Sequence, residues 1–238
     1  MMKKRIWELD ALRGLCVIGM VLVHLVVDLC MLYRIVAWNL PAWFSFVQNW
    51  GGVLFLLISG ISATLGRRSF HRGVIVFGCG LAVTAVTAGM YVLRMADAAI
   101  IIYFGVLQCL GACMMLWPLF KRLPWWALTA IGFPMVVLGL WFYTLRDVGS
   151  WWLVPLGLPG PDFLSADYFP LLPNFGFFLL GAAIGRTVYR NKESLLPGVN
   201  ANAIPLRFLQ WWGKQSLFIY LAHQPILTGL CILLSALM

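Results

Sequence analysis

Two histidines, a line of charged residues and one arginine-rich turn are the places where this chain could do chemistry. Asp10, Arg13, His24 and Asp28 lie in one apolar stretch. At 100° per residue, with Asp10 as zero, Arg13 falls at about −60°, His24 at about −40° and Asp28 at about 0°, so all four share one side of a helix. Asp28 follows His24 by four residues, a spacing at which a carboxylate can accept the imidazole N–H and raise the basicity of the other ring nitrogen. That describes an oriented general base, against the plainer reading of a histidine bonded to a neighbouring helix for packing. Asp10 and Arg13, three apart, can pair and lower each other's desolvation cost; Arg13 is alternatively free to contact an anionic ligand.

A second group lies near the C-terminus, in Ser216-Leu-Phe-Ile-Tyr220-Leu-Ala-His223-Gln224-Pro225. Ser216, Tyr220 and His223 are spaced to fall broadly on one helix side, and Pro225 frees the backbone carbonyl four residues before it. A helix–helix hydrogen bond and a place in a site are both open for His223. The third group is Gly66-Arg67-Arg68-Ser69-Phe70-His71-Arg72-Gly73. Three arginines and a histidine in a turn that leads into a helix suit a phosphorylated ligand, because helix N-terminal N–H groups and the positive dipole end favour anions. The same residues also read as an ordinary basic turn at a membrane face.

The elements that must hold these groups are membrane helices. Of 238 residues, 62% are hydrophobic and 11% charged, with a mean hydropathy of +0.91, which excludes a soluble domain and a disordered chain. Apolar stretches near the length of a bilayer span, about 20 residues, run over 11–33, 48–65, 73–93, 98–117, 125–145, 169–189 and 214–236. The fold class expected is an all-α, polytopic bundle of about seven transmembrane helices, with 1–238 as a single domain. Each ionisable side chain at the bilayer centre costs roughly 2.5 to 3.5 kcal/mol on insertion scales, so the polar line in the first span should face protein or a wet cavity. Residues 151–159 are too short to cross and suit a re-entrant or interfacial segment.

Charge sets the expected orientation. Lys3, Lys4 and Arg5 resemble a signal-peptide start, but Asp10 and Arg13 interrupt the apolar run and further spans follow, so the first helix reads as uncleaved. With the N-terminus in the cytoplasm, Arg67, Arg68, Arg72, Lys121, Arg122, Arg186, Arg190, Lys192, Arg207 and Lys214 also fall inside, and Arg34, Arg94 and Arg146 outside. The C-terminus is then outside. The net charge of +9 thus reflects topology and anionic lipid headgroups rather than nucleic acid. Tryptophans agree: Trp7, Trp117, Trp125, Trp126, Trp211 and Trp212 mark the inner belt, and Trp38, Trp43, Trp50, Trp141, Trp151 and Trp152 the outer. Six cysteines lie within apolar spans without metal-ligand spacing, so no metal site is expected. The outside loop 146–168, rich in Pro, Gly and Trp and carrying Asp147, Asp162 and Asp167, is long enough to be functional.

Arg5-Ile-Trp-Glu-Leu-Asp10-Ala-Leu-Arg13-Gly14 followed by His24, Phe55-Leu-Leu-Ile-Ser59-Gly60, Tyr168-Phe-Pro-Leu-Leu-Pro-Asn174-Phe-Gly176 and the terminal Ser216–Pro225 motif resemble the bacterial members of the heparan-alpha-glucosaminide N-acetyltransferase catalytic-domain family. The resemblance implies an enzyme of the bacterial inner membrane that takes an acetyl or short acyl group from cytoplasmic acetyl-CoA and delivers it to a sugar or glycan acceptor at the opposite face. It makes His24, with Asp28, Asp10, Arg13 and His223, the catalytic group, with His24 as general base or acyl carrier. Arg67, Arg68, His71 and Arg72, with Ser216 and Tyr220, would hold the coenzyme. Trp151, Trp152, Asp162, Asp167 and Asn174 would bind the sugar. Membrane lipid is the other expected partner, and homo-oligomerisation is left open. The alternative is a transporter or flippase for an anionic lipid or glycan, with the polar line as its pathway.

Overall fold

The computed structural model describes residues 6–145 and 148–237. Lys3, Lys4, Arg5 and Arg146, used above to orient the chain, and Asp147, assigned above to the outside loop, lie outside them. The described residues form eight α-helices: α1 (Trp7–Val27), α2 (Ala42–Leu65), α3 (Ser69–Val92), α4 (Val106–Phe120), α5 (Trp125–Phe142), α6 (Leu171–Thr187), α7 (Ile204–Lys214) and α8 (Ser216–Leu237). Five are long and apolar enough to cross a membrane: α1 with the turn that follows it, α2, α3, α5 and α8. With the shorter α4 and α6 this is the helical membrane protein expected from composition.

The chain divides into two compact units, Met1–Phe55 with Lys192–Met238, and Leu56–Asn191. In the first, α1 continues through a π-helical turn, Asp28–Leu32, giving 26 helical residues from Trp7 to Leu32. At 1.5 Å per residue that is about 39 Å, longer than the roughly 30 Å hydrocarbon core, so at least one end projects beyond it. Glu8 and Asp10 sit in the first turn of α1, where acidic side chains complement the positive end of the helix dipole. Glu8 is buried because its carboxylate accepts from the Ser194 hydroxyl at 2.9 Å and the Leu195 N–H at 2.8 Å, which ties the 190s loop to the start of α1.

The connection between α6 and α8 contains α7. It packs on α1 at backbone contact: a Cβ on Gly14 would run into the Leu209 carbonyl, and one on Gly213 into the Asp10 carbonyl. Its free side carries Ile204, Phe208 and Trp211 at positions i, i+4 and i+7.

In the second unit the expected span 98–117 is corrected. Residues Ala98–Ile100 form a short 3-10 turn and α4 begins only at Val106. The helix starts there because its first N–H groups find side-chain acceptors: the Val106 N–H donates to the Asp167 carboxylate at 3.0 Å, and the Gly105 N–H to Gln108 Oε1 at 3.1 Å. The preceding residues are occupied elsewhere. Thr84 Oγ1 donates to the Ile102 carbonyl at 2.6 Å, the Ser165 hydroxyl to the Ile101 carbonyl at 2.9 Å, and the Phe169 N–H to the Phe104 carbonyl at 2.9 Å. Gln108, 2% exposed, spends its amide on the Gly80 carbonyl at 3.0 Å and on Thr84 Oγ1 at 2.8 Å, so a buried polar side chain links α3 to α4 with its donors satisfied.

Candidate functional site

The first unit brings together the two histidines that the sequence separates by most of its length. His24 on α1 and His223 on α8 face each other with ring centroids 5.0 Å apart and planes tilted by 55°. His223 is buried, 8% exposed. Its Nδ1 lies 2.5 Å from the Tyr220 carbonyl. A carbonyl only accepts, so Nδ1 carries the hydrogen, and in the neutral ring Nε2 holds the lone pair. Nε2 is buried without a hydrogen-bond partner among the described residues. The Tyr220 ring stands beside it at 5.4 Å, and Ser216 opens the same helix.

Asp28 is 2% exposed and starts the π-helical turn. Its carboxylate does not orient His24 as expected. Both oxygens accept instead from the Gln224 amide, at 3.3 and 3.2 Å. The reason is a neighbour invisible at the spacing of four: α8 lies against the turn and supplies a neutral amide donor, a partner that an apolar surround otherwise lacks. Gln224 Oε1 is itself buried and without a hydrogen-bond partner among the described residues. A π-helical turn inside an α-helix frequently marks a functional position, and here it carries the carboxylate that accepts from Gln224 of α8. Nearer the start of α1, Arg13 Nη1 donates to Asp10 Oδ1 at 3.2 Å, so the expected pair forms, with Asp10 buried and Arg13 half-buried.

Arg67, Arg68, His71 and Arg72 belong to the second unit. All four are exposed in the α2–α3 turn and the first turn of α3. Arg68 occupies the N-cap position and no side chain caps the helix, so α3 opens with cationic side chains and uncapped N–H groups, a combination suited to an anion. Across the same unit, the loop before α6 gathers aromatic rings. Trp151 lies 5.0 Å from Tyr103 and 5.8 Å from Phe163, and Phe163 lies 4.9 Å from Tyr168. Trp152 is 91% exposed. The short 3-10 helix Trp151–Leu156 ends at Gly157, whose φ of +111° only glycine adopts without strain. Tyr168 donates to the Val154 carbonyl at 2.7 Å; burial pushes its phenol well above the usual range, so it remains a donor. Asp162 is exposed. Asp167 caps α4, and Asn174, buried, donates to the Pro170 carbonyl at 2.8 Å.

The family model of heparan-alpha-glucosaminide N-acetyltransferase, catalytic, matches residues 5–225, a stretch that holds His24 and His223, the arginine turn and the aromatic loop. The chain belongs to that family. Membership makes it a membrane transferase of the acetyltransferase type. No curated protein and no solved structure matches the chain.

Sequence reasoning missed Gln224, Tyr103 and Phe163. Gln224 carried a signal, as an amide in an apolar stretch between a histidine and a proline. The two aromatics carried none, because their meeting with Trp151 depends on how the loop folds.

Proposed function

We propose that this chain is an acyl-coenzyme A dependent membrane acyltransferase that moves an acetyl group from acetyl-CoA to a hydroxyl or amine of a sugar or glycan. The observation that carries the reading is the His24–His223 pair, two imidazoles in contact within spans that a family of acetyltransferases matches. An imidazole with a free ring nitrogen takes the acceptor's proton as its oxygen or nitrogen attacks the thioester carbonyl. The tetrahedral species then collapses, the C–S bond breaks, and coenzyme A leaves as the thiol once protonated. In the two-step variant the imidazole nitrogen attacks first, and acyl-histidine passes the group on. His24 is the expected base or carrier, with His223 as its contact and Asp28 holding α8 in place through Gln224. Asp10 and Arg13 line the same helix.

Arg67, Arg68, His71 and Arg72 are the residues suited to the phosphates of coenzyme A, by charge and by the open N-terminus of α3. Trp151, Trp152 and Asp162 suit a sugar, which stacks its ring on an indole and donates hydroxyl hydrogen bonds to a carboxylate, while Asp167 and Asn174 shape the loop itself. The orientation that goes with this reading has the arginine turn in the cytoplasm.

Coenzyme A binding tests the donor half of the reading. In detergent or nanodiscs, coenzyme A at about 100 times its dissociation constant should stabilise the protein by roughly 2.7 kcal/mol. Replacing Arg67, Arg68 and Arg72 by Gln should abolish the rise in Tm while leaving the Tm of the free protein near that of the parent. A Tm that ignores coenzyme A, or a rise unchanged in the triple variant, contradicts the assignment.

A further inference from the structure

We propose that Gln224 is a positioning residue of the histidine pair. Its amide bonds both carboxylate oxygens of Asp28 and so fixes the register at which α8 presents His223 to His24. The proposal rests on the acyltransferase reading above. Three observations carry it. The Asp28 carboxylate is 2% exposed and its hydrogen bonds come from Gln224 alone among the described residues. The bond spans 196 residues of sequence and joins the same two helices as the imidazoles. Gln224 is also adjacent in sequence to His223, whose Nδ1 is already committed to Tyr220.

The geometry then has a direction of control. His223 can rotate little about its own helix while Nδ1 is held, so the separation of its Nε2 from His24 is set by where α8 sits along α1. The Asp28–Gln224 bond is the polar contact that sets it. Losing it leaves a buried carboxylate without its donor, a cost the helices relieve by sliding or turning, and a reacting group misplaced by about 1 Å can lose on the order of a hundredfold in rate.

The test uses the full chain in nanodiscs, with acetyl transfer and cross-linking read separately. Gln224→Met keeps the side-chain length without the amide, Gln224→Glu sets a carboxylate against Asp28, and Asp28→Asn with Gln224→Glu exchanges amide and acid at the same two positions. Both single variants should lose about tenfold or more in kcat with KM for acetyl-CoA changed by no more than about twofold, and the exchange variant should recover to within about threefold of the parent. In a His24→Cys, His223→Cys background, a short bifunctional thiol reagent should join positions 24 and 223, as located by peptide mass spectrometry, and Gln224→Met should suppress that product. Unchanged kcat in both single variants, or a 24–223 product in undiminished yield, overturns the proposal. A parent protein that transfers no acyl group sinks the acyltransferase reading instead, and the cross-link yield still decides whether Gln224 positions the pair.

Discussion

His223 has one ring nitrogen committed to a backbone carbonyl and one that is bare, and this asymmetry separates it from an ordinary packing histidine, which satisfies both. If the bare Nε2 shares in the proton transfer, His223→Ala should lower the acetyl-transfer kcat by about 10² to 10⁴. His24→Ala should fall in the same range, and the double variant should lose little more than either single one, because residues that act as a unit are not additive. Initial rates with acetyl-CoA and a sugar acceptor check this; two independent, multiplying losses contradict a shared role. The polar residues themselves were legible in the sequence, since ionisable groups inside apolar spans are conspicuous and costly. Their partners were not. A spacing of four points Asp28 at His24, yet its hydrogen bond goes to a residue 196 positions away, which only helix packing decides.

Helix ends show the same division. The apolar run from 98 gave no sign that the helix would wait until Val106, because the residues that start it, Asp167 and Gln108, act through hydrogen bonds across the fold. Asp167→Ala should therefore cost about 0.5 to 2 kcal/mol, the usual worth of a helix N-cap, seen as a lower Tm with binding of coenzyme A retained. The helix α7 was legible in principle, through Pro205 near its start and the i, i+4, i+7 spacing of Ile204, Phe208 and Trp211. The mixed polarity of the surrounding segment hid it. Its seam with α1 is closed by two glycines against carbonyl oxygens, so Gly213→Val should overpack the contact at a cost of about 1 to 3 kcal/mol. A thermal shift measurement that finds Gly213→Val as stable as the parent would contradict that seam.

For the molecule as a whole, composition alone excluded a soluble protein, and the helices agree. The family was legible from short motifs at both ends of the chain, and the match over residues 5–225 bears it out. The orientation rests on the arginines and lysines. In intact cells, Gly198→Cys should stay unlabelled by a membrane-impermeant maleimide and become reactive on lysis, whereas Asp162→Cys should label from outside; the reverse pattern would invert the topology. Catalysis itself is tested most directly by turnover. The purified parent chain in nanodiscs, given isotopically labelled acetyl-CoA and an amino-sugar or glycan acceptor, should yield acetylated acceptor and free coenzyme A in equal amounts, with His223→Ala near background. Coenzyme A release without acetylated product, or parent-level product from His223→Ala, would contradict transfer through the histidine pair.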